Sequence, residues 1–213
     1  QPNSSFQVAY IPDETITTTA DVDVYALIDI DYPSVAAIAN PKTENGTPVT
    51  KGEVGELCVK GPGVMKCYYN DEKSTAEVMR GEWLLTGDMA MEDEDGFIFL
   101  VDRKKDVIIT GGENLYPVQI ENHIRRHDAV KDVAVIGLPH ERLGEIAAAI
   151  IEVKPGYSLT QAEVDNFCAS LPRYKRPRQI IFAEVPRNPT GKIEKPKLRE
   201  IYCGESLVSQ QIK

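Results

Sequence analysis

The 213 residues suffice for one large domain or two small ones, and 42% hydrophobic with 27% charged residues is a globular, water-soluble composition. The formal net charge of -9 argues against a general nucleic-acid binder, because no overall positive field is present to displace counterions, whereas a phosphorylated small molecule needs only a local basic site. No apolar run approaches the roughly 18–20 residues of a membrane-spanning helix.

The polar start Gln1-Pro2-Asn3-Ser4-Ser5 has neither an initiator methionine nor the apolar core of a signal peptide, and it reads as an internal cut. Residues 1–24 are threonine-rich and carry no pattern that assigns them. From Tyr25 to about Val101 the signal is mainly β. Short apolar runs at Tyr25-Ala26-Leu27-Ile28, Glu56-Leu57-Cys58-Val59 and Phe97-Ile98-Phe99-Leu100-Val101 are separated by turn residues such as Asn45-Gly46 and Gly61-Pro62-Gly63. Asp71 through Met79 predicts a short helix among them. This half predicts a small, distorted β-barrel or sheet.

The charged stretch Asp102-Arg103-Lys104-Lys105-Asp106 interrupts the apolar pattern, and the rhythm changes after it. Pro117 suits the first turn of a helix, and Ile120 and Ile124 fall on one face of it. Val133-Ala134-Val135-Ile136 and Ala148-Ala149-Ile150-Ile151 predict strands. Thr160-Gln161-Ala162-Glu163 is a capping box, followed by Val164, Phe167, Cys168 and Leu171 at helical spacing. A strand at 179–182 and a last helix from near Lys195 complete a separate unit. The expected fold is α+β, with a β-rich unit over 1–104 and an α+β unit over 105–213.

Four short constellations carry chemistry. In Thr86-Gly87-Asp88 an aspartate at the end of an apolar strand can present both oxygens to a vicinal diol such as a ribose. Charge-assisted hydrogen bonds of that kind contribute roughly 1.5–3 kcal/mol each. The plain alternative is an ordinary turn aspartate. In Asp102-Arg103, a strand end can set a guanidinium beside the same nucleotide, and the alternative is a solvated charge run at a linker. Gly111-Gly112-Glu113-Asn114, read between a strand and a helix, permits positive φ and close approach by a ligand. The alternative is a simple glycine turn. Lys192, at the end of Pro189-Thr190-Gly191-Lys192, can bring a point charge to a phosphate, or can be a surface lysine on a tight turn. It is not a P-loop, since the first glycine of that motif is missing and Ile193 follows the lysine.

The order and spacing of Gly52-Glu53-Val54-Gly55-Glu56-Leu57, Thr86-Gly87-Asp88, Asp102-Arg103, Gly111-Gly112-Glu113-Asn114 and Pro189-Thr190-Gly191-Lys192 resemble the adenylate-forming superfamily. That superfamily includes acyl-CoA synthetases, firefly-type luciferases and nonribosomal-peptide adenylation domains. The resemblance spans roughly residues 40–202. It implies an acid-thiol ligase that joins a carboxylic acid to ATP as an acyl-adenylate and then passes the acyl group to CoA. It further implies that residues 1–104 are the end of the large adenylation domain and 105–213 its small mobile domain. Asp88 and Arg103 match the family's nucleotide-binding residues, and Lys192 its catalytic lysine. Lys105 matches the hinge position, where many members carry aspartate. Gly111 and Gly112 match the loop lining the pantetheine tunnel, and Tyr174 and Arg176 lie where the CoA nucleotide docks. For Tyr174 and Arg176 a basic surface patch is the competing reading.

The glycine loop resembles acyl-CoA synthetases rather than amino-acid adenylation domains. The family's phosphate loop and its adenine and Mg2+ motif are not found in this sequence, so the chain alone is expected to be inactive, with the Mg2+ site mainly elsewhere. Alternatives are a non-catalytic CoA- or nucleotide-binding homologue and an adenylation domain that loads a carrier protein. Cys58, Cys67, Cys168 and Cys203 lack C-x-x-C spacing and read as small apolar residues of a reduced, cytoplasmic protein. His123 and His127, four apart, can in principle hold a metal, but with no further ligand suggested they read as a helix-surface pair and no metal site is expected. Lys104-Lys105 and Arg125-Arg126 read as solvated faces.

Overall fold

A computed structural model describes residues 7–9, 35–39 and 48–204. The chain divides into two compact units, Gln1–Lys105 and Asp106–Lys213. The strand expected at 25–28 lies outside the described residues.

The first unit is one sheet of six strands: β1 (Gln7–Ala9), β2 (Val35–Ala39), β3 (Val54–Lys60), β4 (Met79–Arg80), β5 (Trp83–Glu92) and β6 (Phe97–Arg103). Its order is β1-β6-β5-β3-β2, with β4 paired to β5. Among the described residues no pairing joins β1 to β2, so the path is open rather than a closed barrel. Leu57, Ala90 and Ile98 form a small core on one face, with Val49 and Val59 against it. The helix α1 (Glu72–Val78) starts where Asp71 Oδ1 accepts the Ser74 N–H at 2.9 Å, satisfying a donor the first turn would otherwise leave open.

The second unit layers helices on a five-stranded sheet made of β7 (Ile108–Thr110), β8 (Glu113–Leu115), β9 (Val130–His140), β10 (Gly144–Val153) and β11 (Gln179–Phe182). β9 and β10 form a long antiparallel hairpin, and β11 joins β10 in parallel after a crossover through α3 (Gln161–Phe167). The apolar runs of β9 and β10 are continuous because both faces are covered. Val133, Val135, Ala147, Ala149 and Ile151 pack with Ile120 and Ile124 of α2 (Pro117–Ile124) and with Val164 and Cys168. Ala134, Ile136, Ala148 and Ile150 pack on the opposite side with Val185 and with Leu198 of α4 (Lys195–Cys203). The capping box forms as the sequence predicts, with Thr160 Oγ1 accepting from the Glu163 N–H and the Glu163 carboxylate accepting from the Thr160 N–H.

Two local expectations change. Thr86-Gly87-Asp88 lies inside β5 rather than at a strand end. Gly111-Gly112 turns from one strand into another, because Glu113–Leu115 pairs back on Ile108–Thr110 before α2 begins. Neither change was visible in apolar periodicity: the bulge breaks the alternation within β5, and the three-residue strands β7 and β8 carry too few positions to show a period. Among the described residues no helix is long and apolar enough to cross a membrane.

Candidate functional site

Asp88, Arg103 and Lys105 belong to the first unit, while Gly111, Gly112, Tyr174, Arg176 and Lys192 belong to the second. In the first unit the site is made by a bulge. Cys58 pairs with Leu85 and Glu56 with Met89, so Thr86, Gly87 and Asp88 stand opposite Leu57 alone. Gly87 takes φ +74°, a left-handed value that glycine reaches without steric penalty. Thr86 Oγ1 donates to the Leu57 carbonyl at 2.8 Å and accepts the Asp88 N–H at 3.1 Å, filling the gap in the ladder. Asp88 then falls directly opposite Arg103 on β6, and Arg103 Nε meets Asp88 Oδ1 at 2.8 Å. Both side chains remain partly open to solvent, 31% for Asp88 and 59% for Arg103, so a ligand can reach them.

The next three residues form a 3-10 turn, Lys104–Asp106. Lys104 is not merely a solvated cation. Its Nζ reaches the buried Glu56 carboxylate at 2.7 Å, a partner 48 residues away that local sequence could not reveal. Lys105 is exposed. A cavity of about 570 Å3 elsewhere in this unit is lined by residues such as Lys60, Met65 and Met79, and includes neither Asp88 nor Arg103.

In the second unit Gly111 and Gly112 are the two central residues of the β7–β8 hairpin, since Thr110 pairs with Glu113. Their φ values of +58° and +89° are both left-handed, as a two-residue turn of the mirror-image type I class requires. The hairpin is fastened to β10 and the turn before it. The Gly111 N–H donates to the Leu143 carbonyl at 2.8 Å, and the Ile109 N–H donates to Glu145 Oε2 at 3.0 Å. Glu145 was missed in the sequence because a charged residue on a strand ordinarily faces solvent.

Tyr174 is half exposed, with Lys175 Nζ 5.7 Å from its ring centroid. Arg176 Nε donates to the Leu171 carbonyl at 2.8 Å, and its Nη2 to the Ala169 carbonyl. Two of its donor groups therefore satisfy the chain just after α3, which favours a structural share in its role. Arg125 likewise departs from a purely solvated reading, with Nη2 on the Val133 carbonyl at 3.4 Å and 3.8 Å from Asp132. His123 and His127 flank the Phe167 ring, each at 5.0 Å between centroids. His123 Nε2 lies 3.0 Å from the Phe167 carbonyl, and His127 Nδ1 accepts the Ala129 N–H at 3.2 Å, so His123 packs α2, and His127 the turn after it, against the end of α3. Among the described residues no group of three or more His, Cys, Asp and Glu side chains is placed to hold a metal ion.

Lys192 ends a tight hairpin in which Arg187 pairs with Ile193. The Asn188 side chain organises it, its Oδ1 accepting from the Thr190 N–H at 3.1 Å, the Thr190 hydroxyl at 2.7 Å and the Lys192 N–H at 2.8 Å. Gly191 supplies the left-handed residue at φ +81°. The Lys192 side chain is exposed, and no carboxylate among the described residues pairs with it.

Comparison with known proteins follows the same line. The AMP-binding enzyme C-terminal domain family matches residues 119–192. The chain is 43% identical over 151 residues to a 2-succinylbenzoate–CoA ligase of Geobacillus sp. strain WCH70, covering 70% of this chain and 31% of that protein. It is 42% identical over 186 residues to a long-chain-fatty-acid–CoA ligase of Salmonella typhimurium, covering 83% of this chain and 33% of the relative. Among solved structures, ATP-bound MatB from Rhodopseudomonas palustris superposes with a TM-score of 0.74 at 35% identity, over 80% of this chain and 34% of MatB. The Bacillus subtilis o-succinylbenzoate CoA synthetase in complex with its acyl-adenylate OSB-AMP gives a TM-score of 0.70 at 32% identity, over 78% and 34%. The chain thus spans about a third of the length of the proteins it matches.

Proposed function

The chain belongs to the adenylate-forming superfamily as a C-terminal portion of an enzyme of the acyl-CoA synthetase type, and on that premise we propose that the whole enzyme joins a carboxylic acid to CoA at the expense of ATP. ATP and the acid form an acyl-adenylate with release of pyrophosphate. The CoA thiol then attacks the acyl carbon, and AMP leaves. Residues 1–104 are read as the end of the large adenylation domain, and 105–213 as the small domain that turns about Lys105.

The observation that carries this reading is the cross-strand pair Asp88–Arg103, held in register by the Thr86-Gly87 bulge. An anionic acceptor with two oxygens beside a planar donor suits a ribose diol and the phosphate attached to it. Lys192 supplies the charge for the first half-reaction. The carboxylate oxygen must approach an anionic α-phosphate, so an uncommitted ammonium at the reacting centre is worth most in that transition state. Gly111 and Gly112 offer a hairpin tip without side chains for the pantetheine arm. Tyr174 and the Nη1 edge of Arg176 offer an aromatic face and a donor to the CoA nucleotide. The roles proposed here for these residues draw on no metal ligand from this chain.

In the full-length enzyme, Lys192→Ala is expected to slow acyl-adenylate formation by about a hundredfold to a thousandfold, equivalent to about 3–4 kcal/mol. Thioester formation from synthetic acyl-AMP and CoA should keep most of its rate, because the lysine is not needed once pyrophosphate has left. Pyrophosphate exchange and a direct thioester assay measure the two steps. Equal loss in both would overturn the assignment.

A further inference from the structure

We infer that Asp132 and Arg187 are positioning residues for Lys192, a rigid link that runs from strand β9 to the loop carrying the lysine. The inference rests on the adenylation role proposed above for Lys192. Asp132 is buried near the start of β9, and its Oδ1 accepts the Val133 N–H at 2.9 Å, which orients the carboxylate. Its Oδ2 faces Arg187, accepting from Nε at 2.7 Å and Nη2 at 2.6 Å, so two donors on one edge of the guanidinium converge on a single charged oxygen. The remaining arm, Arg187 Nη1, donates to the carbonyl of Gly191, the residue immediately before Lys192. One planar group therefore joins the sheet to the peptide that bears the lysine.

The chain entering the loop is tied down as well. The Val185 N–H donates to Glu152 Oε2 at 3.2 Å, and Lys131 Nζ holds the other oxygen of the same carboxylate. Asn188 fixes the internal shape of the loop, but it touches nothing on the sheet in these contacts. Shape and placement are thus divided between two devices, Asn188 for the first and Asp132–Arg187 for the second. A flexible lysine at position 187 cannot reproduce the second, since an ammonium offers no planar fork that grips a carboxylate and a carbonyl together.

The test uses the full-length enzyme with Arg187→Lys, Lys192→Ala and the double variant. Arg187→Lys should lower adenylation, read by pyrophosphate exchange, by about tenfold to a hundredfold, since displacement of a catalytic group by about 1 Å can lose that much. Thioester formation from synthetic acyl-AMP should stay within about twofold, and Arg187→Lys should cause no further loss of adenylation in the Lys192→Ala background. A purely structural arginine would slow both half-reactions alike, or would multiply the Lys192→Ala defect, and either result overturns the inference. Asp132→Asn keeps the side-chain shape and removes the charge, and it gives the same test should Arg187→Lys fail to fold. The Lys192→Ala arm stands apart from Arg187. If it alone leaves adenylation intact, the proposed role of Lys192 falls and this inference falls with it. If Lys192→Ala loses adenylation and Arg187→Lys does not, only the positioning role is lost.

Discussion

Thr86, Gly87 and Asp88 show how much of a motif can be structural. Only the Asp88 carboxylate faces Arg103, while threonine closes the gap in the ladder and glycine takes the left-handed turn of the bulge. A local pattern read without its partner strand leaves Asp88 as a turn residue, because the bulge exists only relative to Leu57, which lies 29 residues before Thr86. The cysteines offer a residue-scale test of packing. Cys168 is buried in the core beside α2, and burial pushes its thiol from an ordinary 9.0 up to about 11. Such a thiol is protonated throughout the neutral range, and its contribution to stability is present below pH 9 and lost as pH rises through the folded value. At pH 8 its thiolate fraction is about a hundredfold below that of an unshifted thiol. Iodoacetamide labelling of the native chain followed by mass mapping should modify the exposed Cys67 long before Cys168, and denaturant should erase the difference. Rapid native labelling of Cys168 would contradict the packing of α3.

At the scale of elements, the long apolar runs of β9 and β10, the capping box and the start of α4 were legible, because each rests on many residues or on strong local chemistry. The hairpin β7–β8 was not, being two strands of three residues each. Its glycines are nevertheless explicable now. A Cβ on Gly111 would meet Leu143 at 3.4 Å, whereas Gly112 has open space within 4 Å but sits at φ +89°. Gly112 is therefore the position where a side chain projects outward from the tip instead of into the fold, at a backbone strain of about 1–2 kcal/mol. In the full-length enzyme Gly112→Leu should slow thioester formation from acyl-AMP by about a hundredfold through misplacement of the thiol, and leave adenylation largely intact. The same pair of half-reaction assays decides it. Loss confined to adenylation would remove Gly112 from the proposed CoA path.

At the scale of the whole molecule, the charged stretch between the two rhythms was visible, but the work done by its individual charges was not. Lys104 is bound to Glu56 within the first unit at 2.7 Å. Asp106 is buried in the second unit, where Arg199 Nη2 of α4 holds its Oδ1 at 2.7 Å. The residue between them, Lys105, is exposed and closes the first unit. Each neighbour is thus anchored within its own unit, and the hinge proposed at Lys105 falls between the two anchors. Both anchoring partners are remote in sequence, which is why charge pattern alone read Lys104 as solvated and gave Asp106 no partner. Proline at this position would fix φ near -65°, remove the N–H and restrict Lys104 as well. Lys105→Pro in the full-length enzyme should therefore hinder the change of pose that the proposed second half-reaction requires. Adenylation should persist, while the overall rate of acyl-CoA formation falls and acyl-AMP accumulates on the enzyme in a single-turnover quench. Lys105→Ala, which leaves both dihedrals free, should behave as the parent. Equal loss of the two half-reactions in Lys105→Pro, or a comparable defect in Lys105→Ala, would place the moving element elsewhere and leave Lys105 as a surface cation beside two anchored neighbours.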